Sequence, residues 1–169
     1  VSWLASKVTG REIKPKILDC GRSIGVRFCS KKLFDELERI SKSETPQTLK
    51  KRVPREIFRD KKLSAAFLRG LFDTGGCFTL KRKYRTEAYY PTFGFSQANN
   101  QLVLEVIKLL TELGIHTSAS LNRSYGDKRT GKMHCRSRID IYGDRNTAVL
   151  FDKIGSNNPK IIEKYEKYL

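Results

Sequence analysis

Residues 63–83 change hydrophobic period partway along. Leu63, Ala66, Phe67, Gly70 and Leu71 recur at the i, i+3, i+4 spacing of a helix, whereas Phe78, Leu80 and Arg82 alternate with Thr79, Lys81 and Lys83 as in a strand. The change falls at Gly75-Gly76, so a helix over Leu63–Thr74 is expected to run into a strand over Cys77–Lys83 with no loop between them. Ala66, Gly70 and Thr74, four residues apart, form a stripe without bulk on that helix. A second helix can approach such a stripe at backbone level, which makes sense if two helix ends must meet.

The rest of the chain can be read around this junction. Upstream, Trp3, Leu4 and Val8 look like a helix stopped by Gly10, followed by strands near Ile13–Leu18 and Ile24–Cys29 joined through Asp19-Cys20-Gly21-Arg22. Ser30 suits the cap of a helix reaching Ile40, and the polar stretch Ser41–Arg52 reads as a linker. Downstream, a second strand is expected over Tyr89–Gln97. Asn99 or Asn100 should cap a strongly amphipathic helix that ends at Gly114. Strands over Ile115–Arg123 and His134–Tyr142 follow, separated by the turn-rich Tyr125–Gly131. Asp144 should open a helix to Ile154, and Pro159 sits in the first turn of a last basic helix.

A chain of 169 residues is long enough for one substantial core or two small fused halves. Its net charge of +16 points to a polyanionic partner, and nucleic acid fits better than a membrane because no basic amphipathic helix stands apart from the core. No apolar run reaches membrane-spanning length and Val1–Gly10 lacks a signal-peptide core, so a soluble intracellular, cytoplasmic protein is expected. The four cysteines show no C-x-x-C pair, and His116 and His134 form no metal motif.

The nine residues Leu68-Arg69-Gly70-Leu71-Phe72-Asp73-Thr74-Gly75-Gly76 resemble the signature of the LAGLIDADG homing endonucleases. The order helix-strand-strand-helix-strand-strand-helix from Leu63 onward extends the resemblance over the rest of the chain. It implies an α+β fold, an αββαββα repeat with a curved antiparallel DNA-binding sheet, over residues 61–169. Residues 1–60 would be an accessory arm or a partial repeat, since Val26–Lys32 resembles Ile139–Arg145 in its strand-then-helix pattern. The first motif helix of such a repeat would lie upstream of Val1. The resemblance also implies pairing of motif helices through Ala66, Phe67, Gly70, Leu71 and Thr74. That pairing would occur in a homodimer or, alternatively, within a pseudo-dimeric monomer.

Alternation places Thr79, Lys81, Lys83, Tyr90, Thr92, Ser118, Ser120, Asn122, Arg136, Arg138 and Asp140 on one face of the sheet. Phe78, Leu80, Phe93, Phe95, Ala119, Leu121, Ile139 and Ile141 fall on the other. The first set suits a duplex groove, where Arg or Lys reads guanine and Asn or Gln reads adenine. Lys128, Arg129 and Lys132 in the following loop suit phosphate contacts.

In the family, an acid at the eighth motif letter and the carbonyl before it bind a divalent metal, here expected as Mg²⁺, with Ca²⁺ able to occupy the site without cleavage. In this chain those positions are Gly75 and Thr74, and glycine brings no carboxylate. Asp73 is the one acid left in the motif, about 200° around the helix axis from position 75. By the same resemblance Gln97 matches a polar residue near the attacking water, and Lys81 and Lys160 are candidates for a basic residue there. Three function classes remain open. One is an intron-homing endonuclease that cuts both strands at a long site, with cleavage lost wherever Gly75 cannot be replaced in its role. The second is a non-cleaving relative, an RNA-splicing maturase or regulator. The third is a basic structural RNA-binding protein.

Overall fold

The computed structural model describes residues 2–18, 23–25, 28–35, 52–82, 88–127 and 129–169, which fall in two units, Val1–Pro46 and Gln47–Leu169. In the first unit, helix α1 (Ser2–Thr9) stops at Gly10, whose φ of +67° is a left-handed conformation that glycine adopts freely. Strands β1 (Lys16–Leu18) and β2 (Ser23–Gly25) pair antiparallel, shorter than expected. Residues 31–35 are helical, and the Ser30 hydroxyl accepts from the Leu33 N–H at 3.3 Å, the expected cap. The turn 19–22, Val26 and Arg27 of the suspected repeat, residues 36–40 of the helix, and the linker up to residue 51 lie outside the described residues.

In the second unit, a 3-10 turn (Arg55–Arg59) leads into helix α2 (Lys61–Gly75), whose cap is Asp60, accepting from the Lys62 N–H at 2.7 Å. Ser64, Leu68 and Phe72 are the buried residues of α2. Leu63 is 46% exposed, and Ala66 and Gly70 also face outward. The apolar periodicity therefore identified the helix but not its inner face. The one buried polar group in that stripe is satisfied, since the Ser64 hydroxyl donates to the Ile57 carbonyl at 2.6 Å. Residues 53–60, placed with the first segment by the sequence, belong physically with the second. Val53 is buried in its core, and its N–H donates to the Glu105 carboxylate at 2.7 Å.

Strand β3 (Gly76–Arg82) follows α2 without a loop. Gly76 makes this possible: its N–H returns to the Phe72 carbonyl, and a Cβ there would lie 2.4 Å from Phe93 Cζ and 2.6 Å from the Phe72 carbonyl oxygen. Strand β4 (Tyr89–Gln97), helix α3 (Asn100–Glu112), strands β5 (Ser118–Gly126) and β6 (Met133–Tyr142), and helices α4 (Asp144–Lys153) and α5 (Pro159–Glu166) complete the expected order. Asn99 caps α3, and Gly114 (φ +74°) ends it. The fold is the α+β arrangement expected, with an antiparallel sheet in the order β3-β4-β6-β5.

Phe78, Phe93, Phe95, Ile139 and Ile141 point from the sheet into the core, where Phe72 of α2 packs on Phe93 and Phe95 at ring distances of 5.0 and 5.5 Å. Leu80 and Leu121, expected with them, are 43% and 40% exposed, and Ala119 is exposed too. They lie on the two edge strands, where the helices do not bury them.

Candidate functional site

Two regions drew functional expectations, the C-terminal end of α2 and the open face of the sheet. At the helix end, one side of α2 is clamped to the segment joining α4 to α5. Arg69 Nε donates to the Ile154 carbonyl at 2.5 Å, closing the end of α4. One turn later, the Asp73 carboxylate accepts from Ser156 Oγ at 2.5 Å and from the Asn157 N–H at 3.0 and 3.1 Å. Asn158, the cap of α5, donates from its side chain to the Asp73 carbonyl at 2.9 Å. Asp73 is thus a structural acceptor, turned toward this segment and occupied by it. This agrees with its place about 200° around the helix from position 75, which already counts against it as a substitute for a carboxylate there.

Gly75 is exposed at the last turn of α2, and a Cβ on it would come 3.3 Å from the Phe95 ring edge. Gln97 lies two residues past Phe95 on β4, about 7 Å further along the strand, and Phe95 is opposite Gly76. Gly75 and Gln97 therefore share one end of the sheet. Lys160 is exposed in the first turn of α5, where the adjoining cap Asn158 is tied to Asp73. Lys81 is different. It lies five residues along β3 from Gly76, about 17 Å away by strand rise, and its ammonium is 3.8 Å from Asp140 and 5.1 Å from the Tyr142 ring centre. The Thr74 hydroxyl is turned back onto its own helix, donating to the carbonyls of Gly70 and Leu71, both at 3.1 Å. The donor set does not fit a divalent cation: position 75 offers no carboxylate, Asp73 is engaged, and no metal-binding group of three or more His, Cys, Asp or Glu exists among the described residues.

The sheet face opposite the core carries Cys77, Thr79 and Lys81 on β3; Tyr90, Thr92, Gly94 and Ser96 on β4; and Arg136, Arg138, Asp140 and Tyr142 on β6. Ser118 and Ser120 join them on β5. Thr92, expected as a contact residue, is fully buried between Thr79 and Tyr142 in register, so this short side chain cannot reach a groove. Asn122 is displaced as well. A β-bulge sets Leu121 and Asn122 together against Ser137, Asn122 takes a φ of 50°, and its N–H donates to the Ser137 hydroxyl at 2.9 Å.

Beyond the bulge the alternation is shifted by one, which brings Arg123 and Tyr125 onto the polar face opposite Arg136 and His134. These residues were missed in the sequence. Tyr125 stacks on His134 at 5.6 Å, and the Arg136 guanidinium lies 4.4 Å from the Tyr125 ring centre. Tyr125 and Gly126, expected in the loop, continue the strand. The register could have been found by counting outward from the Asp127–Gly131 turn, where Gly126 faces Met133. In that turn Arg129 and Lys132 are exposed, as phosphate contacts must be, and the Asp127 carboxylate accepts from the Arg129 N–H and the Thr130 hydroxyl. Lys83 and Lys128 lie outside the described residues.

At the centre of the face, Arg138 and Asp140 form a two-bond ion pair, Nε to Oδ2 at 2.8 Å and Nη2 to Oδ1 at 2.7 Å. Partial burial alone would raise the Asp140 carboxyl, but the Arg138 bonds and charge, with Lys81, outweigh it and hold the group below the usual carboxylate range. The Asp140 bond holds the Arg138 guanidinium above its ordinary value, and partial burial, then the Asp140 charge, push the Tyr142 phenol up.

On α2, Ala66, Gly70 and Thr74 are exposed, Phe67 and Leu71 are half-buried, and no atom of the described residues lies within 4 Å of a Cβ placed on Gly70. No helix among the described residues is long and apolar enough to cross a membrane.

The family described as a LAGLIDADG-like domain matches residues 62–155, which span α2 to the end of α4. Among solved structures, that of the LAGLIDADG homing endonuclease I-GzeII in complex with its DNA target is similar, with a TM-score of 0.40 and 15% identity. The match covers 61% of this chain and 34% of the endonuclease chain, about a third of that protein's length. No curated protein sequence matches the chain.

Proposed function

The chain belongs to the LAGLIDADG-like domain family, and on that premise we propose that it binds duplex DNA sequence-specifically through the polar face of its sheet and leaves the duplex essentially uncut. One observation carries the binding half of this reading. Arg123, Arg136 and Arg138, with Lys81 across the sheet, share a single face whose reverse side is the hydrophobic core. Such a face offers guanidinium donors for base edges at its centre and exposed Arg129 and Lys132 for phosphates at its rim. The net charge of +16 supplies the sequence-independent attraction. A second copy of α2 against the Ala66-Gly70-Thr74 stripe would double the surface into a two-fold reader, and a pseudo-dimeric partner helix would serve the same purpose.

The uncut half rests on the end of α2. Magnesium-dependent hydrolysis at an intron-homing site is the activity the family resemblance implies, and it needs an anionic oxygen where this chain has Gly75. Asp73 does not supply one, because Ser156 and Asn157 already occupy it. The reading therefore favours the non-cleaving relative over an active homing endonuclease.

Selection from a randomised duplex library, followed by incubation of the enriched site in Mg²⁺ and in Ca²⁺, tests both halves. One enriched site that survives intact in Mg²⁺ is the expected result. Absence of any enriched site would overturn the binding half, and double-strand cutting would overturn the other.

A further inference from the structure

We infer that Arg138, held by Asp140, is a pre-oriented guanine reader that fixes the base at one position of the target, with Asp140 as its positioning residue. The inference rests on duplex binding through this sheet face, and it adds the residue pair and the base that the pair selects.

An arginine on a solvated strand ordinarily samples many rotamers, and freezing one costs entropy when a ligand binds. Here that cost is met before binding. Two parallel bonds to Asp140 fix the plane of the guanidinium, and Lys81 at 3.8 Å from the same carboxylate helps keep it charged. The strand beneath is adapted to the pair. Gly94 lies opposite Asp140 in register, and a Cβ there would sit 2.8 Å from Arg138 Nη2 and 3.2 Å from Asp140 Oδ1. A side chain at position 94 would make the Arg138 guanidinium shift, so the glycine leaves the space in which the pair lies.

Counting donors shows what remains for a ligand. A guanidinium has five N–H groups. Asp140 takes the one on Nε and one on Nη2, which leaves three, two on Nη1 and one on Nη2, of which one from each nitrogen points away from the carboxylate as a two-pronged fork. The Arg138 side chain is 47% exposed while that of Asp140 is 13% exposed, so the arginine is the accessible partner. Two convergent donors match the O6 and N7 acceptors of guanine in the major groove, and no other base offers two acceptors there. A phosphate would also accept from the fork, so base preference is what separates the two roles.

Library selection with the wild-type chain, R138K and D140N decides the matter, with matched thermal melts to verify folding. The wild type should enrich guanine at one position about tenfold or more over the other bases. R138K keeps the charge but replaces the planar fork held by Asp140 with a flexible ammonium, so that preference should fall several-fold while the salt dependence of binding stays the same. D140N removes one negative charge, so overall affinity should rise while the guanine preference falls several-fold. Unchanged preference in both variants overturns the inference and leaves duplex binding standing. A uniform loss of affinity in R138K with the same base preference would make Arg138 a phosphate contact and also overturn it. Failure of every version to enrich a site overturns the inference together with the function on which it rests.

Discussion

The Ser156 hydroxyl donates to the Asp73 carboxylate at 2.5 Å, across 83 residues of sequence. The single acid of the nine-residue motif therefore anchors the segment between the last two helices, together with Arg69 one turn earlier. Its charge is used for architecture.

Asp73→Ala should consequently destabilise the second unit by about 1–3 kcal/mol, because the Ser156 hydroxyl and the Asn157 N–H lose a charged acceptor. Urea unfolding with and without Mg²⁺ checks this. The loss should be the same in both conditions, and a loss seen only with Mg²⁺ present would restore Asp73 as a ligand.

Gly75 and Gly76 should respond in opposite ways. Gly75→Asp asks the Phe95 ring to give by a few tenths of an ångström, so the variant should fold and bind DNA as before while acquiring double-strand cutting in Mg²⁺. Gly76→Ala places a methyl 2.4 Å from the Phe93 ring and 2.6 Å from a backbone oxygen, and should cost several kcal/mol or prevent folding. Circular dichroism and a cleavage assay read both variants, and equal cutting by wild type and Gly75→Asp would contradict this account.

Gly70→Leu tests the helix seam. Among the described residues nothing lies within 4 Å of a Cβ at this position, so the isolated subunit should be no less stable and should gain roughly 0.8 kcal/mol of helix propensity. Pairing of two copies of α2 should nevertheless be lost. Sedimentation velocity that shows a dimer for the wild type and a monomer for the variant is expected, and a monomer in both cases would favour the pseudo-dimeric reading.

Affinity for duplex DNA should fall with salt at a slope near −0.9 for each phosphate neutralised. Removing exposed Arg129 should reduce that slope by about one without changing base preference. A titration of binding against salt for both proteins provides the measurement.

Acid should weaken the sheet face through Asp140. Its carboxyl is held below the ordinary 3.8, so the folded state stays ionised where the unfolded chain takes up a proton. The stability from the pair is fully present above about pH 4 and is lost as pH falls through the lowered value. Asp140→Asn should flatten the stability profile in that window. Asp127 and Glu163 are lowered too, but both are on the surface and should contribute little. Unfolding followed from pH 5 downward in the wild type and Asp140→Asn would show the difference.

The helix-to-strand junction could be read in the chain because two periods meet at Gly75-Gly76, and Asn99, Gly114 and Pro159 mark ends by chemistry that does not depend on tertiary contacts. The inner face of α2 could not. Apolar residues surround most of that helix, so periodicity alone does not choose Leu68 and Phe72 over Leu63 and Phe67. The bulge at Asn122 was hidden for a related reason, since one inserted residue leaves composition unchanged yet transfers every later side chain to the other face. Arg123 and Tyr125 were lost to the expected surface in that way. That Arg138 and Asp140 share a face follows from alternation, but their two-bond geometry is a matter of side-chain rotamers, which alternation does not give.

The two adjacent glycines at the helix-strand junction also carry a genetic consequence. A glycine codon differs from one for aspartate or glutamate only at its middle letter. Position 76 cannot make use of that neighbour in the code, because its surroundings leave no room, whereas position 75 can. An acid at position 75 is therefore one nucleotide change away and asks the Phe95 ring to give by a few tenths of an ångström, whereas the same change at position 76 meets both the Phe93 ring and a backbone oxygen.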